Sequence, residues 1–251
     1  MKNCLRFLVL ETVLLFGLYD LDSSFATSML QDEGVVQINW SSARFRSFGI
    51  AEVKDKTTQG IVSAESLAFN NAYDNFSSSL NQLVTTVKKN TKQVDFKAFK
   101  PSIYLAKTEY YDLSSVKVIA EARIARLFSN EGLRFLDPSV VFEQSKNTGV
   151  IFNLKSSYAP EAVYTIYDEK SQILFDSSKV YASAFDTSLM GKWFKGTSGS
   201  YSDIEKVVGN NPARIDVEVV DGKLQVNSSK WQELISGNEQ ALAQAKVVLV
   251  Q

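Results

Sequence analysis

With 251 residues, 45% of them hydrophobic and 22% charged, and a formal net charge of −1, the chain has the balance of a globular protein with a sizeable core and no charge surplus to recruit nucleic acid. It contains no histidine, which excludes Ser-His-Asp and Cys-His catalysis, histidine acid–base chemistry and histidine-ligated metals. Its single cysteine, Cys4, falls in a segment read as removed on export, so the mature chain is expected to carry neither disulfide nor thiolate chemistry.

The N-terminus reads as a secretory signal over residues 1–26. Lys2 and Arg6 form a positive lead, Phe7 to Leu21 an apolar run, and Ser24-Phe25-Ala26 a small-residue cleavage site. The run is shorter than the ~20 residues of a membrane span and carries Glu11. Removing these residues takes two basic and three acidic side chains from totals of 27 and 28, leaving 25 of each. Thr27 to Glu33 reads as a flexible polar lead-in. Val36, Ile38 and Trp40 then alternate with polar residues, Ser41-Ser42 make a turn, and Ala43 to Ala51 return, which is the pattern of a hairpin. Gly49 inside a strand points to a bulge or the close approach of another backbone.

The stretch from Ser63 to Lys89 organises the rest. Phe69, Tyr73, Phe76, Leu80, Leu83 and Val87 recur at helical spacing beside a row of Ala64, Ala68 and Ala72. With Ser63 as N-cap, about 27 residues at ~1.5 Å each make a rod of about 40 Å that must lie on a sheet. Asn90 to Leu113 carries weak signals, with a short helix at Asp95 to Lys100 the one candidate. Val116 to Ile124 alternates as a strand, although AEARIARLF also has good helix propensity. Leu133 to Leu136 reads as a returning strand. The polar segment Glu143 to Thr148 reads as a lobe boundary.

The second lobe opens on the apolar run Gly149 to Phe152. Ala162–Tyr167 and Gln172–Phe175 read as strands around the turn 168–171, and 181–193 is ambiguous. Lys195 to Tyr201 is a flexible loop. Ser202 and Glu205 form a capping box for a short helix ending at Gly209. Ala213–Val220 and Lys223–Val226 flank Asp221-Gly222, the strongest hairpin signal of the chain. Ser229 caps a further short helix, and Ala245 to Val250 is a last strand. The expected fold is α+β: two small, mostly antiparallel sheets each covered by helix, with an N-terminal lobe at 34–148 built on the long amphipathic helix and a C-terminal lobe at 149–251.

In this order the segments resemble the lipoprotein-20 family, which includes envelope lipoproteins and FlgP-like flagellar accessory proteins and is related to the N-terminal domain of flagellar assembly protein T. The resemblance rests on the strand ending at Trp40, the Phe48-Gly49-Ile50-Ala51 strand, the helix with Ala64, Ala68, Ala72 and Leu80, Thr148-Gly149-Val150-Ile151, Ile166-Tyr167-Asp168, and Val208-Gly209-Asn210-Asn211-Pro212. The chain departs from the family in lacking the lipidated cysteine and the glycine of the turn after Tyr167. The resemblance implies a non-enzymatic periplasmic protein, structural or accessory to a flagellar or envelope assembly, whose partners are other envelope or flagellar proteins or further copies of itself.

No residue is assigned a catalytic, cofactor-binding or metal-binding role. Gly196-Thr197-Ser198-Gly199-Ser200 precedes a helix but lacks the spacing and lysine of a nucleotide-binding loop. Arg44 and Arg46 share a strand face that reads as solvated. Carboxylates alone can run a glycosidase, yet no pair stands out. Asp168-Glu169 and Asp221-Gly222 fit turns better than calcium loops. Trp40 and Trp231 sit in core-like patterns; Trp193 is the tryptophan expected at the surface. The expectation is therefore a non-enzyme without cofactor, nucleic-acid partner or membrane span after signal removal. A periplasmic module binding peptidoglycan or another wall polymer is the alternative, and a carboxylate-only hydrolase a third class.

Overall fold

The computed structural model describes residues 27–28, 30–32, 36–89, 103–128, 133–196 and 202–251. The signal segment expected over residues 1–26, the short helix expected at 95–100 and most of the glycine-serine stretch lie outside the described residues. The described residues open on two short strands, β1 (Thr27–Ser28) and β2 (Leu30–Asp32), where a flexible lead-in was expected. Then come β3 (Val36–Asn39), β4 (Arg44–Glu52), the helix α1 (Thr58–Lys89), β5 (Tyr104–Tyr111) and β6 (Ser115–Arg123). Strands β2 to β6 form an antiparallel sheet in the order β2-β3-β4-β6-β5. The expected hairpin is present. β6 is a strand that ends in one 3-10 turn at Ile124–Leu127, so the helical propensity of that stretch surfaces only after the ladder stops. β5 falls in the stretch that carried only weak signals, because its residues are mostly exposed and do not alternate cleanly.

α1 begins five residues before the expected start. Thr57 accepts from the Gly60 N–H at 3.2 Å and caps the helix, whereas the Ser63 hydroxyl donates back to the Gln59 carbonyl within it. Its buried row is Ala64, Ala68, Ala72 and Phe76, at 0–4% exposure, while Tyr73 from the aromatic stripe is 44% exposed. The reason is steric. A Cβ on Gly49 would lie 2.0 Å from the Ala68 carbonyl oxygen and 2.4 Å from the Ala72 nitrogen, so helix and strand touch backbone to backbone. Only alanine fits along that line. Ser47 donates to the Ala72 carbonyl at 2.7 Å, and Phe76 closes the row edge-on against Phe45 at 6.1 Å.

The β3–β4 ladder ends at Val36 opposite Ser47, and among the described residues no strand covers the rest of that side of β4. The helix fills the gap: Asn75 and Asn71 donate their side-chain amides to the Phe48 and Ile50 carbonyls, each at 2.8 Å. One element thus buries a sheet face and satisfies part of its edge.

The second sheet uses β7 (Val150–Leu154), β8 (Ile166–Tyr167), β9 (Ile173–Phe175), β10 (Lys192–Lys195), β11 (Ala213–Val220), β12 (Lys223–Gln225) and β13 (Val247–Val250), with β1 added at its edge. Its order is β1-β10-β13-β7-β11-β12-β8-β9. The central pairs β10–β13, β13–β7 and β7–β11 are parallel, which corrects the expectation of a mostly antiparallel second sheet. β13 is a continuous apolar run buried throughout, and β7 is apolar and buried except at Asn153, the composition of parallel strands covered on both faces. One cover is α3 (Ser202–Val208), whose Ile204 and Val208 pack on Ile151, Val248 and Val250. The other face meets the main core, to which α2 (Ala182–Ser188), α4 (Ser228–Ile235) and α5 (Glu239–Ala243) contribute Phe185, Trp231, Leu234 and Leu242.

Three local expectations change. Leu133–Leu136 makes a single bridge from Leu136 to Tyr181 and no strand. The strand over 162–167 shrinks to two residues. The cap of α4 is Asn227, whose Oδ1 accepts from the Ser229 and Lys230 N–H groups. The hairpin turn at Asp221-Gly222 has φ of 50° and 72°, the left-handed pair that this dipeptide favours.

The sheets share one core. Val36, Ile38, Trp40, Phe45 and Phe76 belong to the same buried cluster as Phe152, Trp193 and Leu249. The Trp193 N–H donates to the Trp40 carbonyl, and the Ser41 hydroxyl to the Trp193 carbonyl, so the β3–β4 turn is stitched to β10.

Candidate functional site

Because side chains alternate along strands, one face of the first sheet takes α1 and the other looks away from it. The second face carries Arg44, Arg46, Phe48 and Ile50 from β4, and register places Arg123, Glu121, Ile119 and Lys117 of β6 beside them. β5 adds Tyr104, Lys107, Glu109 and Tyr111. This is an open sheet face of mixed charge and aromatic character.

Its fixed point is Glu121, only 8% exposed. Arg46 Nε bonds one carboxylate oxygen at 2.8 Å; Arg44 Nε lies 3.5 Å from the other, to which the Tyr104 hydroxyl also donates at 3.0 Å. The Arg44 guanidinium sits 5.3 Å over the Tyr104 ring. Arg44 and Arg46 therefore converge, as a strand face with alternate arginines allows, on a carboxylate of the same sheet. Arg44 also stands directly opposite Arg123, a like-charge pair that sheets disfavour. Arg123 is drawn aside by Asp186 of α2 at 2.6 Å, which Arg126 approaches at 3.3 Å. Lys192 of β10 has no ion pair among the described residues; burial first, and then the Arg44 charge, lower its pKa.

Farther along, Lys107 and Glu109 pair at 2.6 Å, Lys117 lies 3.8 Å from Glu109, and the Tyr111 hydroxyl donates to Glu109 at 2.8 Å. Hydrogen bonds from Lys107 and then Tyr111 hold the Glu109 carboxyl below its ordinary pKa. On the helix side, Glu65 accepts from Thr108 at 2.9 Å and Tyr110 at 3.4 Å, fastening β5 to α1. The apolar groups stay outside: Tyr104, Leu105, Tyr110 and Tyr111 are 40–53% exposed.

The other flagged residues resolve into structure. Trp193 is fully buried, against the expectation, stacked on Tyr158 at 6.0 Å and 7°, with its indole N–H donating to the Glu161 carbonyl. The sequence placed it between Lys192 and Phe194 without revealing that β10 is interior. Trp40 and Trp231 are core residues as expected, although the Trp40 indole N–H finds no acceptor among the described residues. Asp168 folds over its own turn, accepting from the Lys170 and Gln172 N–H groups, and Glu169 accepts from Ser228 at the start of α4. Asp216 pairs with Lys155 and Asp203 with Lys206. Among the described residues no group of three metal-ligating side chains gathers, and no helix is long and apolar enough to cross a membrane.

Besides a hollow of about 280 Å³ between the 144–148 segment and Gln240, Gln244 and Lys246, two further hollows line the second lobe. The larger, about 470 Å³, is polar and open, lined by Asn153, Arg214, Asp216, Lys230 and Glu233. The smaller, about 180 Å³, is apolar and lies between Phe142, Leu174, Trp231 and Leu242. The larger has the carboxylates Asp216 and Glu233 and the ammonium of Lys230 on its wall, with Asp216 already paired to Lys155; the smaller is lined mostly by apolar side chains. The roles that sequence reasoning missed are those of Glu121, Asn71 and Asn75. The i, i+4 spacing of the two asparagines was the available signal. No family model matches this chain, and no curated protein matches it at a significant level.

Proposed function

We propose that the protein is a non-enzymatic component of a bacterial envelope assembly, exported to the periplasm and acting by packing against other proteins. The observation that carries this reading is the contrast within the molecule. The acids and bases of the open sheet face are spent on one another, while large apolar side chains stand in solvent along β5. Such exposure marks interaction surfaces rather than chemistry. The flagellar assignment comes from the sequence resemblance alone. Affinity capture from envelope fractions tests it: flagellar basal-body proteins among the captured material support it, and capture of none contradicts it. Export is tested by intact mass of the native protein, expected to start at Thr27; a retained Met1 contradicts it.

A second reading, a binding module for peptidoglycan or another anionic wall polymer, is favoured by one observation. Arg44, Arg46 and Tyr104 share an open face, close to a half-buried Lys192 that has no carboxylate partner among the described residues. Retention on purified sacculi, lost in Arg46→Gln, would favour it over the first.

A further inference from the structure

We infer that β5 is a self-pairing edge: two copies of this chain join their β5 strands antiparallel about a two-fold axis at Thr108, fusing their first sheets into one. The inference rests on the packing reading above and names its partner.

The described strands at the other sheet ends are short. β1 has two residues, β2 three and β9 three, the usual way in which a sheet edge is made unattractive. The open side of β4 is closed by Asn71 and Asn75. β5 is the exception. It has eight residues, contains no proline, and has no strand on its outer side among the described residues. It also carries Tyr104, Leu105, Tyr110 and Tyr111 in exposed positions. An edge of that length and composition templates the addition of another strand.

The charges select the occupant and the register. An axis normal to the sheet keeps each face on its own side, so residues that meet must come from the same face of their strands. Lys107 and Glu109 both lie on the face away from α1, with Thr108 between them facing the helix. An axis through Thr108 sets Lys107 of each copy opposite Glu109 of the other, giving four charges of alternating sign. An axis through Lys107 or Glu109 sets like charges against each other, which cross-strand pairs disfavour. The register shift between Leu105 and Lys107 confines the regular ladder to the Lys107–Tyr111 stretch, so about Thr108 the regular pairing of the two copies runs from Lys107 to Glu109. Ladder and aromatic side chains supply the affinity; the exposed charges fix register and partner.

Sedimentation velocity on the purified protein tests this, with K107E and E109K. Each variant alone places like charges across the axis and is expected to dissociate at least about tenfold more readily than wild type. Mixed in equal amounts, the two variants supply each other's missing charge and dimers return. Circular dichroism of each variant establishes that it is folded, and Thr108→Cys, on the axis, should form a disulfide with its own copy under mild oxidation. A monomeric wild type, single variants that dimerise like wild type, or a mixture that stays monomeric each overturn the inference. A monomeric wild type that still captures basal-body proteins removes this inference alone; a dimer that captures none removes the broader reading alone.

Discussion

Replacing Gly49 with alanine tests the packing of the first lobe more sharply than any core truncation. The added Cβ would lie 2.0 Å from the Ala68 carbonyl oxygen and 2.4 Å from the Ala72 nitrogen. Both are helix backbone atoms, so no side-chain rotation relieves the overlap and α1 must lift. Overpacking of this kind costs ~1–3 kcal/mol where neighbours can give, and here the neighbour is a 32-residue helix. Lifting it also strains the Ser47–Ala72 hydrogen bond at 2.7 Å and the Asn75–Phe48 bond at 2.8 Å. At ~1 kcal/mol for each bond, the total reaches about 4 kcal/mol, a large part of the ~5–15 kcal/mol of a typical domain. Urea unfolding followed by circular dichroism should show a large fall in midpoint. A midpoint equal to that of wild type would refute the backbone-to-backbone contact and the explanation of the alanine row with it.

Phe76→Ala empties a fully buried site beside Phe45 and should cost about 3–5 kcal/mol by the same titration, while Ser78→Ala, at an exposed position, should cost less than about 0.5 kcal/mol; equal effects would contradict the assigned face. Lys192→Met should raise the urea midpoint at pH 7, because it keeps the apolar stem and removes an ammonium whose burial beside Arg44 lowers its pKa. The sign follows from linkage. Below the lowered pKa the ammonium is charged in both states and its burial cost is fully present. Between the lowered pKa and the unfolded value of ~10.4 the unfolded chain holds more protons, so stability rises with pH. The advantage of the variant should therefore shrink as pH climbs through that window, and an unchanged midpoint at pH 7 would count against it.

The parts of this fold that were legible in the sequence are those fixed locally. The Val36–Trp40 alternation, the Asp221-Gly222 turn and the unbroken helical period each follow from neighbours in the chain. Gly49 was legible as a close approach because a strand glycine has few other uses. What sequence hid was decided at a distance. Parallel pairing of β7, β13 and β10 needs the topology, although the all-apolar VVLV of β13 already carried the mark of a strand covered on both faces. Trp193 was misplaced because its neighbour Lys192 looks solvent-facing, whereas the β3–β4 turn, Tyr158 and Tyr164 close over the tryptophan from distant parts of the chain. β5 was missed because an edge strand with exposed tyrosines has no buried face to impose alternation. The same exposure makes it the centre of the candidate surface. Arg44 and Arg46 were visible as a pair, but Glu121 lies 75 residues beyond Arg46 and nothing local announces it.

The central claim is that the protein works by packing against protein through the β5 side of its first sheet. Photo-cross-linking in the native host addresses it most directly, with a photoreactive residue placed at Tyr110, 53% exposed on β5, and for comparison at Val141, 84% exposed in the segment that leads into β7. The account predicts discrete protein adducts from position 110, to a second copy or to another envelope protein, in excess of those from position 141. Adducts from position 110 that contain only wall polymer, or no adducts there at all, would contradict it.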